Sequence, residues 1–133
     1  MHVTINGKEY PIHIGLDCID YLNRIYYIEQ NGVKISQGIN LALTELYMQN
    51  PVALLHMIKA GTITEQTGPG TKEIKDFLET EADYEVLFED FLEALRTAHA
   101  TRRMVQTVET QMQEATRKLP GSRRKKSAST KSS

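Results

Sequence analysis

The apolar positions near the N-terminus recur at every second residue, which is the period of a β-strand with one apolar face. Residues 3–5 and 10–14 both follow this pattern, and Asn6-Gly7 lies between them. This dipeptide accepts the positive φ angles of a type I′ turn. The pattern therefore predicts an N-terminal β-hairpin. Because a lone hairpin is only marginally stable in water, we expect the following helices to cover it.

From residue 16 onwards the apolar positions follow the period of an α-helix. We predict a first helix over residues 16–29 that Asn31-Gly32 ends, and a second that begins near Ser36. Asn50-Pro51 is the expected N-cap and first residue of a third helix, which extends to residue 60.

The third predicted helix, PVALLHMIKA, is apolar on nearly every side. Such a helix requires deep burial or a buried interface. Gly61 occupies the position of a C′ glycine after it, and Thr71 is the expected cap of a fourth helix over residues 71–79.

The last helical segment, residues 84–119, carries two apolar stripes that point in different directions. The stripe over residues 84–95 covers an arc of roughly 160°, and the stripe over 104–119 covers about 100°. Their centres differ by roughly 110° if the helix is continuous. Either a straight helix presents two faces to two partners, or the helix bends around residues 98–103. Each stripe either closes the core of this chain or binds a helix of a partner or of a second copy.

Charge is distributed unevenly along the 133 residues, although the formal net charge is only −1. Residues 1–71 carry −2, residues 72–95 carry −7 and residues 96–133 carry +8. An acidic block followed by a basic one suggests charge-guided contacts between segments or between copies, or simply two solvated helix faces. The composition, 40% apolar, suffices for one compact domain, which we place at residues 1–119.

Motifs for catalysis, metal binding and membrane insertion were not found in the sequence. It has no phosphate-binding glycine loop, zinc-protease motif or nucleophile elbow. Cys18 is its only cysteine and is expected to be buried and structural. The N-terminus is polar and no apolar run approaches the ~20 residues of a membrane span, so we expect a protein that stays in the cell's reducing cytoplasm.

Two groups of ionisable residues could suggest a metal site, and neither has the required spacing. The histidines lie in four different predicted elements: His2, His13, His56 and His99. The carboxylates around the start of the last helical segment lack the glycine-containing loop that wraps oxygens around calcium: Glu79, Glu81, Asp83 and Glu85. We therefore expect no enzyme activity, no metal and no cofactor.

The chain ends in a basic segment, residues 120–133, in which Ala128 is the only apolar residue. Such a segment cannot offset the entropy of ordering, so we predict a disordered tail. The basic segment 102–126, which includes part of this tail, supports an alternative function, a small nucleic-acid-associated regulator. This alternative is weak because RRKK at 123–126 has no interleaved aromatic residues or docking fold. It would require salt-dependent binding that is lost when 120–133 are deleted.

The succession and spacing of four segments resemble the phage tail assembly chaperones of long-tailed phages and prophages of Gram-positive bacteria. The segments span about residues 3–106 and are VTINGKEYPIHIGLDCIDYLNRIY, GINLALTELYMQNPVALLHMIKAGT, TKEIKDFLE and YEVLFEDFLEALRTAHATRRMVQ. Cys18 and Ile19 stand where members of the family often have an aromatic residue.

The fold expected for this chain is α+β, an N-terminal β-hairpin packed on four or five helices.

The resemblance implies a non-catalytic function in virion assembly. Such a chaperone binds the tape-measure protein and recruits subunits of the major tail (tube) protein, and its gene often also yields a longer frameshifted form. It acts in the host bacterial cytoplasm and is absent from the mature virion, which distinguishes it from a structural virion component. Other expected partners are that longer form and a second copy of this chain. We expect the partner to contact apolar residues of the two stripes: Phe88, Phe91, Leu92, Leu95, Val105, Val108 and Met112.

Overall fold

The computed structural model describes residues 1–118, which form two β-hairpins and six helices. The strands are β1 (His2–Ile5), β2 (Lys8–Pro11), β3 (Tyr27–Gln30) and β4 (Val33–Ser36). The helices are α1 (Leu16–Ile25), α2 (Gly38–Tyr47), α3 (Pro51–Gly61), α4 (Thr71–Thr80), α5 (Tyr84–Thr97) and α6 (Arg102–Lys118). The predicted α+β class is confirmed, with one hairpin and at least one helix more than the sequence indicated.

The N-terminal hairpin forms where the alternation predicted it. β1 pairs with β2 in antiparallel register, and Asn6 and Gly7 both have positive φ, 53° and 76°. The inward-facing Val3, Ile5 and Tyr10 are buried in the core. The hairpin is therefore covered by helices, as its marginal intrinsic stability requires.

The first helix is shorter than predicted, and a second hairpin replaces its last turn. α1 ends at Ile25, and β3 and β4 follow as an antiparallel pair. Asn31 and Gly32 both have positive φ, 51° and 79°. Two successive residues of this kind make a type I′ turn, whereas a helix stop needs only one. The interpretation of Asn31-Gly32 as a helix stop was therefore wrong.

Helix α3 lies at the centre of the molecule and is packed against α1, α2, α4 and α5. The Asn50 side chain accepts a hydrogen bond from the backbone N–H of Val52 at 3.0 Å, and Pro51 is the first helical residue, as predicted. Of the two readings of its apolar surface, deep burial is confirmed. Its buried residues are Ala53, Leu54, Met57, Ile58, Ala60 and Gly61.

Two predicted helix ends were wrong: Gly61 is not a C′ glycine, and Thr71 is not the cap of α4. Gly61 is the last residue of α3 and has no positive φ. Its function is close packing, because a Cβ there would lie 2.5 Å from Cγ2 of Ile12. Gly70, not Thr71, is the N-cap of α4, and its N–H donates to the Glu73 carboxylate at 3.0 Å. A side chain three residues into the helix therefore satisfies the backbone where the cap has none.

The segment 84–119 bends, which was one of its two predicted forms. α5 ends at Thr97 and α6 begins at Arg102. The fully buried Thr101 donates its hydroxyl to the carbonyl of Leu95 at 2.7 Å, and its own carbonyl accepts from the N–H of Val105. The corner thereby satisfies backbone groups that a helix end leaves without partners. It also turns the first part of the second stripe towards the same core as the first.

Two further predictions concern the chain as a whole. No helix within residues 1–118 is long and apolar enough to cross a membrane. The predicted disordered tail, 120–133, lies outside the described residues.

Candidate partner-binding surface

The seven candidate contact residues divide into two groups by their exposure. Five are core side chains of this single chain, with exposed fractions from 0% to 7%: Phe88, Phe91, Leu92, Leu95 and Val105. Val108 and Met112 are only half-buried. The stripe on α5 and the start of α6 close the chain's own core, and the incompletely covered part of the second stripe lies further along α6.

The C-terminal half of α6 projects beyond the body of the molecule. From Thr110 to Arg117 every side chain is exposed except the half-buried Met112. Val108 and Met112 are one helical turn apart and therefore lie on the same face of α6. They form an apolar line that begins at the core and continues onto the projecting part of the helix.

Three polar side chains hold the middle of α6 against the body. Arg96, in the last turn of α5, donates through Nε to the Glu109 carboxylate at 2.9 Å and through a terminal nitrogen to the Tyr47 hydroxyl at 2.9 Å. The Tyr47 hydroxyl in turn donates to Glu109. This cluster joins α2, α5 and α6 through half-buried, charge-assisted hydrogen bonds, which are stronger than neutral ones. It fixes the angle at which α6 leaves the core.

A groove lies on each side of α6. One has a volume of about 650 Å³ and is lined by Tyr47, Arg96, Glu109, Met112, Gln113, Thr116 and Arg117. A cavity of about 370 Å³ continues from it along α5, sharing Tyr47 and Arg96. On the opposite side a groove of about 370 Å³ is lined by Asn40, Arg103, Met104, Thr107, Val108 and Gln111. Apolar side chains with a charged rim on both flanks are the features by which a groove accepts an amphipathic helix.

The remaining candidate chemistry lies elsewhere. Burial raises the pKa of the Cys18 thiol from 9.0 to about 12, so this side chain is a core residue and not an activated nucleophile. Burial lowers the pKa of His56, whose ring packs edge-on against Tyr26 at 5.6 Å. Burial also raises the pKa of Tyr26, and its hydrogen bond to Glu45 at 2.8 Å adds to this effect.

A third groove, of about 790 Å³, lies between the N-terminal hairpin and the end of α5. It brings together His2, His13 and His99, which the sequence had left in separate elements, beside Asp90 and Glu93. No group of three potential ligands within residues 1–118 is close enough to hold a metal ion. The carboxylates predicted to be solvated are exposed: Glu79, Glu81, Asp83 and Glu85.

The hairpin β3–β4 presents an exposed apolar surface that was not predicted from the sequence. All eight of its strand residues are exposed, including Ile28 at 44%, Val33 at 60% and Ile35 at 40%. The signal was present: Asn31-Gly32 is flanked by short runs rich in β-branched and aromatic residues, just as Asn6-Gly7 is. The helical spacing that precedes it obscured this second occurrence.

A projecting amphipathic helix between two grooves, on a small helical body, is an arrangement suited to binding another polypeptide. The chain belongs to the phage tail assembly chaperone family: the family model described as phage tail assembly chaperone protein, TAC, matches residues 2–109. The match confirms the family resemblance and implies interaction with tail proteins; the Gram-positive host stays a prediction. It includes Val108 and the Arg96–Glu109–Tyr47 cluster, and it ends before Met112. Comparisons with curated proteins and with solved structures find no match.

Proposed function

We propose that this protein is a non-catalytic tail assembly chaperone that binds helical segments of the tape-measure protein along α6. The observation that carries the proposal is the line of Val108 and Met112, which stays half-buried although most of the α5 stripe and Val105 close the core. Membership of the chaperone family supports the assembly function. The length and the apolar side chains of the α6 surface support a helical segment as the partner.

The surface along α6 has the dimensions of a helix-binding site. The part of α6 from Met104 to Arg117, which lines the grooves, is fourteen residues long and corresponds to about 20 Å or nearly four helical turns. Three of the apolar lining residues are Met104, Val108 and Met112. Methionine is flexible and polarizable, and it therefore adapts to irregular partner surfaces. A chaperone that binds successive, non-identical helices of a long protein requires this adaptability.

The test is co-expression with the tape-measure protein. Val108→Asp with Met112→Asp places two charges on the proposed face, and we expect the soluble yield of the tape-measure protein to fall to that seen without chaperone. Val52→Asp with Ile63→Asp places the same charges on exposed apolar side chains outside α6 and should leave the yield unchanged. Circular dichroism of each purified variant establishes that it is folded.

Two results would contradict the proposal. The first is full tape-measure solubility with the folded Val108/Met112 variant, because the α6 face would then not be the binding surface. The second is unfolding of that variant but not of the control, because the face would then belong to the core. Phe91→Asp serves as the reference for core disruption, since Phe91 is 0% exposed.

The same proposal includes recruitment of tube protein, a longer frameshifted partner form, action in the host cytoplasm and absence from the mature virion. Mass spectrometry of purified particles distinguishes this chaperone from a structural component, because only the latter remains in them. The nucleic-acid alternative uses the basic segment 102–126, and the family match does not favour it.

A further inference from the structure

The hairpin β3–β4 has two faces of different chemistry. Ile28 is paired with Ile35, and Gln30 with Val33, so these four side chains share one mainly apolar face. The opposite face is polar and carries Tyr27, Ser36, Glu29 and Lys34. An amphipathic two-stranded ribbon with its apolar side chains 40% to 60% exposed has little stability of its own in water.

The hydrogen-bond alternation identifies the backbone groups that have no partner. Gln37 donates its N–H to the carbonyl of Tyr26 at 2.9 Å, which fixes this pair as hydrogen-bonded. In an antiparallel ladder bonded and non-bonded pairs alternate, so the pairs at Ile28 and Gln30 are bonded and those at Tyr27 and Glu29 are not. The N–H and C=O groups of Tyr27 and Glu29 therefore point away from β4. Within residues 1–118 no hydrogen bond to these groups is formed.

We propose that the free edge of β3 pairs antiparallel with β3 of a second copy of this chain, with the twofold axis through Ile28. In this register Tyr27 of each copy lies opposite Glu29 of the other, and the outward groups of the two residues form four backbone hydrogen bonds. The proposal concerns the chain alone and does not depend on the α6 surface or its client.

The side chains of β3 favour this register over the adjacent one, in which the twofold axis passes through Glu29. A twofold axis through Glu29 would place two carboxylates directly opposite each other, which is destabilising. The axis through Ile28 instead pairs Ile28 with its own copy and aligns Ile35, Ile28 and their two counterparts in one apolar row across four strands. An isologous contact requires this self-complementarity.

The other edge of the hairpin is protected. The outward backbone groups of β4 belong to Lys34 and Ser36 by the same alternation. Lysine on an exposed edge strand disfavours pairing with another strand. The Lys34 ammonium is held 4.8 Å from the centre of the Tyr27 ring, on the polar face. Because only one edge is open, the association closes at a dimer and does not propagate.

Two four-residue strands bury much less than the ~1,200 Å² of a stable interface, so the dimer is weak, with a dissociation constant above about 1 µM.

The test uses sedimentation equilibrium of the full-length chain over a wide range of concentration. Glu29→Pro removes one outward N–H per copy without breaking the hairpin's own ladder, since proline is tolerated at such edge positions. Losing two hydrogen bonds should raise the dissociation constant roughly thirtyfold. Lys34→Pro is the matched control on β4 and should leave it unchanged.

Amide hydrogen exchange adds a readout that is specific to each residue. The Tyr27 and Glu29 amides should exchange slowly at high protein concentration and rapidly on dilution, whereas those of Lys34 and Ser36 should be fast throughout. A chain that sediments as a monomer at all concentrations, or one whose association Lys34→Pro weakens and Glu29→Pro does not, would overturn the proposal. Protection of β3 only after a client strand is added would also overturn it, in favour of pairing with another protein.

Discussion

Gly61→Ala tests whether the contact between the N-terminal hairpin segment and α3 is as close as the structure shows. A Cβ at residue 61 would lie 2.5 Å from Cγ2 of Ile12, whereas ordinary carbon contacts begin near 3.4 Å. Ile12 cannot easily move away, because its β-branched side chain is restricted at χ1. Next to it, the N–H of His13 donates to the carbonyl of Gly61 at 2.8 Å, which holds the two backbones together.

Two opposing effects decide the sign of the change. Helix propensity favours alanine over glycine by about 0.5 to 1 kcal/mol, and less at the last helical residue. Overpacking of a well-packed core costs about 1 to 3 kcal/mol. We therefore expect Gly61→Ala to lower the free energy of unfolding by about 1 to 2 kcal/mol. Urea denaturation followed by circular dichroism measures this, with an unchanged m value as evidence that the denatured state is the same.

A double-mutant cycle separates the clash from any other effect of the alanine. In an Ile12→Ala background the obstructing Cγ2 is absent, so Gly61→Ala should there be neutral or slightly stabilising. The reasoning would be refuted if Gly61→Ala stabilised the otherwise unchanged chain, or if its cost were the same in both backgrounds.

Two further predictions concern polar and ionisable groups. Arg96→Leu removes the donor to Glu109 and Tyr47, and we expect a loss of about 1 kcal/mol together with faster amide exchange in α6 beyond residue 109; unchanged exchange there would contradict the role of the cluster. Because burial raises the pKa of Cys18 from 9.0 to about 12, the unfolded chain ionises first, and the thiol's contribution to stability is lost as pH rises through this range. Cys18→Ala should therefore flatten the pH dependence of the unfolding free energy above pH 9, and an identical slope would refute this.

Turns and helix starts were predictable from the sequence where a single dipeptide or a single hydrophobic period specifies them. Asn6-Gly7 between two alternating runs and Asn50-Pro51 before an apolar segment each have one dominant structural meaning, and both predictions are confirmed. Asn31-Gly32 is compatible with both a helix stop and a hairpin turn, because both structures require residues that adopt a positive φ. The helical spacing before it favoured the wrong one. The preference of the flanking residues for strands was the signal that distinguishes them.

The candidate surface was less predictable than the fold because an apolar stripe does not identify what covers it. Phe91 and Met112 each lie on an apolar stripe with helical spacing, yet Phe91 is fully buried within the chain and Met112 is only half-buried. The difference arises from the corner at Thr101, whose position decides how much of α6 reaches the core. Periodicity gives the direction of a side chain on its own helix, but not the distance to the next helix.

The projecting end of α6 makes the two ends of the described chain unequal as attachment points for a fluorophore or an affinity tag. Lys118 lies six residues after the half-buried Met112, so a group fused after residue 118 begins about 9 Å beyond the last part of α6 that packs on the body. At the other end the carbonyl of Met1 already accepts a hydrogen bond from Ile12, and Val3 is in the core. A label placed before residue 1 therefore starts from a paired strand and strains it if its linker is short. A probe after α6 therefore strains the fold less, but it lies beside the proposed α6 surface and suits measurements on the chain alone.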